Sequence, residues 1–246
     1  MTVGCIIQAR MSSTRLPGKV LLKLDRQNTV LDYVIQQIGY CKNIKKIIIA
    51  TTSLKEDDPI EEFAKTKGIL YFRGDVLDVL DRYYKCAKLF SLSIIVRITA
   101  DNPLIDPILV DKAIKKFKSN SCDYASNAII RSFPYGTETE VFSFTSLGKV
   151  WNNAKKYSER EHVTPYFYNH PEKFKVLHIK NRKNLSFLRW TIDQYDDFVL
   201  VKKIVSKIKK RPILMNDIVS LFNQEPELIS INKHVKHKIL DDKTDF

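Results

Sequence analysis

Residues 6–19 read Ile-Ile-Gln-Ala-Arg-Met-Ser-Ser-Thr-Arg-Leu-Pro-Gly-Lys: an apolar stretch that stops in a loop with three cations, three hydroxyls, one Pro and one Gly. Arg10, Arg15 and Lys19 donate hydrogen bonds and accept none, while Ser12, Ser13 and Thr14 donate through hydroxyl or backbone N–H. That inventory suits a polyphosphate. The two glycine-rich phosphate loops are both absent. Lys19 is followed by Val20, which excludes G-x-x-x-x-G-K-[ST], and Gly18 is the only glycine of the stretch, which excludes G-x-G-x-x-G.

Two acidic segments complement this loop. Arg97-Ile98-Thr99-Ala100-Asp101-Asn102-Pro103 and Leu188-Arg189-Trp190-Thr191-Ile192-Asp193-Gln194 each read as a strand running into an acidic turn. In an open α/β sheet, ligands bind outside the carboxyl ends of the strands, so all three segments are expected on one edge. A carboxylate there suits Mg²⁺, which takes one or two carboxylates and otherwise keeps water and phosphate oxygens. The plainer alternative for Asp101 is a turn cap before Pro103. Asp196 and Asp197 are expected to favour a helix start. Two carboxylates gathered on one edge repel each other unless a cation lies between them.

Holding these segments together requires a parallel sheet. Val3 to Ile7, Ile47 to Thr51, Ile69 to Phe72 and Ile94 to Ile98 read as short strands. Between them, Val30, Leu31, Val34, Ile35 and Ile38 follow helical spacing, Asp58-Pro59 opens a helix that Gly68 ends, and another helix is expected near Val76 to Leu89. In that helix Asp78 and Asp81 are expected on a solvated face and Tyr83-Tyr84 on a packed one. Asp106-Pro107 starts the next helix with an acidic cap and Pro at its first position. After Cys122 the rhythm changes. Strands are expected at residues 123–128, 138–144 and 188–192, a capping box at Ser158-Glu159-Arg160-Glu161, and a Lys-rich helix from about Asp196 to Lys210. The expected fold class is α/β: a doubly wound, mostly parallel sheet with a small inserted β/α excursion at about 130–185. It forms one domain over residues 1–232, followed by a charged, fraying tail at 233–246.

Composition narrows the function. The net charge is +13, but much of the excess lies on lysine-rich helix faces and in the tail, with no aromatic-interleaved basic stripe, so dedicated nucleic-acid binding is not expected. No apolar run approaches a membrane span, and Val3 to Ile7 is too short for the core of a signal peptide. Cys5, Cys41, Cys86 and Cys122 are scattered and read as free thiols of a reducing, cytoplasmic compartment. His162 falls inside a helical pattern and is expected to be structural, and His234 with His237 lacks the companions of a zinc site.

The segments at residues 7–19, 97–106, 158–165 and 189–198 together resemble the cytidylyltransferases that activate acidic sugars. The nearest branch is that of the spore-coat polysaccharide biosynthesis protein F, with the CMP-Kdo and CMP-acylneuraminate synthetases as wider relatives. The resemblance spans roughly residues 3–205. It implies a nucleotide-diphospho-sugar transferase-like fold and transfer of CMP from CTP to an anionic sugar (a sugar acid or sugar phosphate), with release of diphosphate, in surface polysaccharide or glycoconjugate synthesis. It further implies Mg²⁺ and a homodimer. Ala9, Arg10, Ser12, Ser13, Arg15, Lys19, Thr99 and Asp101 would bind nucleotide, with Arg10, Lys19 and Asp101 acting in catalysis. Asp101 and Asp193 would hold the metal. Where relatives show Phe-Pro-Asp-Gly-Leu-Asp-Val-Glu, this chain has Phe133-Pro134-Tyr135-Gly136-Thr137-Glu138-Thr139-Glu140. By the same resemblance Tyr135, Glu138 and Glu140 would face the acceptor, so the departure touches acceptor identity. A metal-dependent glycosyltransferase is the nearest rival, yet the Asp-x-Asp it commonly uses occurs nowhere in the chain. A non-catalytic basic binding module would leave the Asp101 and Asp193 turns without purpose.

Overall fold

The computed structural model describes residues 1–235; most of the expected tail, including His237, lies outside the described residues. The strands are β1 (Val3–Gln8), β2 (Lys46–Thr52), β3 (Leu70–Gly74), β4 (Ile94–Thr99), β5 (Tyr124–Ser126), β6 (Glu140–Ser143) and β7 (Val176–His178). They form one sheet in the order β3-β2-β1-β4-β6-β5-β7. The first four run parallel, and β6 lies antiparallel between β4 and β5. Gln8 stands beside Ala50 on one side and Thr99 on the other, so the central parallel strands end at a common edge.

Both faces of the sheet are covered. Cys5, Ile7, Ile49, Val96 and Ile98 belong to one core, shared with the helices Val30–Gly39, Pro107–Ser119 and Tyr195–Lys207. Ile6, Ile48, Ala50 and Ile95 belong to the other, shared with Val79–Leu89 and Phe144–Asn153. Strands buried on both faces read as unbroken apolar runs, which is why the parallel strands stand where the sequence puts them. Helix starts follow their caps. Asp106 accepts Ile108 N at 2.7 Å, and Gly68, in the left-handed region at φ 66°, closes the helix Asp58–Lys67.

Two expectations fail for physical reasons. Leu188 to Ile192 is no sheet strand: it makes a single bridge to Tyr135, and Ile192 N bonds Asp101 O at 2.8 Å. Its apolar alternation reflects Trp190 and Ile192 buried in the core beneath it. The expected capping box is also displaced. The helix runs Tyr157–His162, and Glu159 receives Lys156 N at 3.4 Å, so Ser158 already lies inside it. Asp78 and Asp81 do more than face solvent. Asp81 accepts Trp151 Nε1 at 3.0 Å and Asp78 accepts Arg160 Nη2 at 2.6 Å, tying this helix to the excursion. All four cysteines are free.

Candidate active site

The cation-rich loop leaves β1 at the carboxyl edge. Met11 N donates to Asp57 at 2.6 Å, and Asp57 is itself fully buried and accepts the Thr52 hydroxyl. Met11 O then accepts Ser13 N and Gly18 N, each at 2.9 Å, folding the loop back on itself. Gly18, at φ 67°, makes the turn that sends Lys19 inward. Arg10, Thr14 and Arg15 are exposed, Ser12 and Ser13 half-buried, and Ala9 is buried beneath them.

Lys19 is the buried cation of the three. Its Nζ donates to Asp101 Oδ2 at 3.0 Å, Asp193 Oδ1 at 3.1 Å and Ile192 O at 2.6 Å. Sharing one ammonium brings the two carboxylates within about 6 Å of each other, although 92 positions separate them in the chain. The cation demanded by their repulsion is therefore supplied by the protein itself. Burial opposes charge on Lys19, but Asp101 and Asp193 outweigh it and raise its pKa. Burial likewise opposes charge on Asp193, and Lys19 and Arg189 overcome it, bringing the carboxyl down to about 2. Thr99 Oγ1 donates to the second oxygen of Asp101 at 2.5 Å.

Asp193 is aimed by a clamp behind it. Arg189 Nη2 reaches Asp193 Oδ2 at 2.7 Å while its Nε reaches Asp197 Oδ1 at 2.9 Å. Asp197, fully buried, also accepts Asp193 N and Gln194 N, at 2.9 and 3.0 Å. Asp197 is thus an orienting group as well as the helix-start acid expected from sequence. Arg15 adds a contact to Asp193 Oδ1 at 3.2 Å.

A cleft of about 460 Å³ opens beside this centre. Asp101, Asp193 and Thr99 line it, together with Arg97, Asn102, Arg131, Glu138, Glu140, His162 and Thr164. Glu140 is its floor: it stands opposite Arg97 across β4 and β6, pairs with it, and accepts the hydroxyls of Tyr124 and Thr164. Burial opposes charge on Arg97, yet Glu140 holds its pKa above the ordinary value. Glu138 accepts Arg131 Nη1 and Gly136 N, both at 2.8 Å. Gly136 is required here: at φ 104°, a Cβ would come within 2.7 Å of Trp190 Cδ1.

Of the three residues expected to face an acceptor, Glu138 and Glu140 line this cleft, whereas Tyr135 lines a separate cavity of about 210 Å³ with Arg189 and Phe222. Tyr135 lies under the Arg131 guanidinium, 4.0 Å from ring centroid to Cζ. Arg97, Arg131, Thr164 and His162 were not assigned to the site by sequence. Arg97 could have been found, since a cation inside the β-branched run of β4 is unusual. His162 is turned to the cleft by Val163, which adopts φ 72° and ψ −49° while Thr164 N bonds His162 O at 2.8 Å. A buried β-branched residue in that region is strained, and nothing in the local sequence signals it.

The sequence profile of the cytidylyltransferase family matches residues 4–234. The spore coat polysaccharide biosynthesis protein SpsF of Bacillus subtilis is 35% identical over 230 residues, covering 90% of this chain and 94% of that protein. A cytidylyltransferase structure from Leptospira borgpetersenii superposes with a TM-score of 0.90 at 33% identity, covering 98% of this chain and all of that one. The structure of a CMP:2-keto-3-deoxy-manno-octonic acid synthetase complexed with CTP shares the fold at a TM-score of 0.63 and 13% identity, covering 84% of this chain and 99% of that one.

Proposed function

Because this chain belongs to the cytidylyltransferase family and is a nucleotidyltransferase, we propose that it transfers CMP from CTP to an anionic sugar, a sugar acid or a sugar phosphate, with release of diphosphate. The observation that carries this reading is the pairing of Asp101 and Asp193 on one ammonium, between a cation-rich loop and an open cleft. The donor set suits Mg²⁺. It consists of two hard carboxylates, with no cluster of three or more potential ligands among the described residues, leaving positions for water and phosphate oxygens. Asp101 and Asp193 would hold the ion, which would polarise the α-phosphate toward an attacking hydroxyl or phosphate oxygen and, for a hydroxyl, ease its ionisation.

The protein's own share is positioning and charge. Arg10, Ser12, Ser13 and Arg15 receive the triphosphate over the loop, and Lys19 stabilises the charge that gathers on the departing diphosphate. Thr99 steadies Asp101, and the Arg189–Asp197 clamp fixes Asp193. The acceptor lies in the cleft over Glu140 and beside Glu138, whose charges Arg97 and Arg131 balance. No helix among the described residues is long and apolar enough to cross a membrane. A homodimer agrees with the family resemblance.

Diphosphate release from each of the four nucleoside triphosphates, against a panel of sugar acids and sugar phosphates, tests the reading. Release with CTP and an anionic sugar is expected. Preferred use of GTP would sink the cytidylyl assignment, and release independent of any acceptor would sink the transfer.

A further inference from the structure

One buried charge has no part in the chemistry above. Arg82 lies in the second turn of the helix Val79–Leu89 and is only 1% exposed. Its Nε and Nη1 are buried without any hydrogen-bond partner. The carboxylates that bear on it are engaged elsewhere: Asp57 holds the Met11 amide and the Thr52 hydroxyl, and Asp75 accepts Leu77 N and Asp78 N at 2.7 and 2.9 Å. Arg10 also bears on it, as a like charge that makes no ion pair among the described residues. Burial draws the Arg82 guanidinium below its ordinary pKa; Tyr83 opposes that shift, Arg10 adds to it, and Asp57 and Asp75 oppose it more weakly. Gly74, where β3 ends, gives the stem passage, since a Cβ there would lie 3.0 Å from Arg82 Cγ.

A buried guanidinium with two orphan donors beside another cation is destabilising in the free protein. Such a group calls for an account, and an outside partner supplies one. A neutral carbonyl would satisfy a donor but leave the repulsion between Arg82 and Arg10, whereas an anionic oxygen relieves both. Its surroundings place that partner. Gly74, against which the Arg82 stem lies, pairs with Thr52, the Thr52 hydroxyl bonds Asp57, and Asp57 holds the loop by the amide next to Arg10. We propose that Arg82 and Arg10 form a phosphate-binding point at the Asp57 end of the loop, taking a non-bridging oxygen of the bound triphosphate. The proposal rests on the nucleotidyl-transfer reading.

Calorimetric titration of Arg82→Met and Arg82→Lys with CTP, CMP and inorganic diphosphate, beside thermal melts without ligand, tests it. Arg82→Met is expected to melt higher than the parent, because an unpaired buried charge is replaced by an apolar chain of similar length. It is expected to lose roughly ten- to a hundredfold in affinity for CTP and for diphosphate, and less for CMP, with Arg82→Lys recovering part of the loss. An Arg82→Met protein that melts lower and binds CTP and diphosphate as the parent does would make Arg82 purely structural and overturn the proposal. Equal losses for CTP and CMP with diphosphate binding intact would also overturn it, by moving the contact to the nucleoside. A parent protein that binds diphosphate through Arg82 but does not bind CTP would keep this point and remove the cytidylyl reading instead.

Discussion

The two halves of the sheet treat charge in opposite ways. On the antiparallel side, Arg97 meets Glu140 directly across the ladder, two hydroxyls complete the same carboxylate, and Arg131, Asn102 and the Gly136 amide converge on Glu138. On the parallel side, Arg10 is exposed without an ion pair among the described residues, and Arg82 is buried with its Nε and Nη1 unpartnered. A network whose charges are paired keeps its shape with nothing bound, while an unbalanced one gains most when charge arrives from outside. The contrast fits a reaction in which one substrate is always a polyanion and the other is selected by the outline of a cleft. Between the halves, Lys19, Asp101 and Asp193 share both characters, being paired with one another and open to the cleft.

The largest effect expected from breaking this contrast falls on the junction. Asp101→Asn should lower metal-dependent turnover by about three orders of magnitude, a loss of the size seen when a transition-state electrostatic contact is removed. Adding Asp193→Asn should cost little more, because groups acting as a unit are non-additive; steady-state kinetics of the single and double variants decide it. Next comes the closed network. Glu140→Gln leaves Arg97 buried without its counter-charge and should cost about 3–5 kcal/mol of stability by urea titration, whereas an unchanged midpoint would show that the antiparallel half is not held by this pair. At the junction again, Lys19→Ala should lose about 1.5–3 kcal/mol in kcat/KM for CTP, measured by diphosphate release. The smallest effect is in acid. Asp193 has its carboxyl lowered from 3.8 to about 2 by Lys19 and Arg189 against its burial, so its contribution is complete above about pH 4 and fades as pH falls toward 2. That contribution is about 2 kcal/mol, and Asp193→Asn should flatten the corresponding part of the stability–pH curve.

The same division governs how much of the molecule was legible in the sequence. The parallel strands announce themselves as apolar runs, and β1 and β4 end where loops of unusual chemistry begin, so Lys19 and Asp101 stand out at strand ends before the family resemblance gives them roles. The antiparallel half gives no such signal. β7 has three half-buried residues, and the pairing of Glu140 with Arg97 shows only once the register of β6 against β4 is known. Arg189 and Asp197 are eight apart in a segment whose alternation mimics a strand, and only the turn at Gln194 makes them partners. Arg82 did leave a trace. It shares i, i+3, i+4, i+7 spacing with Val79, Tyr83 and Cys86, all buried, and a cation on the packed face of a helix is uncommon.

The Asp197 clamp also bears on when the molecule becomes competent during its own synthesis. Asp197 accepts Asn232 Nδ2 at 2.7 Å, and Asn232 also donates to Arg189 O. A chain emerging from the ribosome displays the loop cations before residue 20 and Asp101 well before its midpoint. The clamp that aims the second acid is steadied by an amide 35 positions beyond Asp197. A polypeptide that stops short of Asn232 therefore carries the loop cations and both acids but lacks the amide that steadies the clamp.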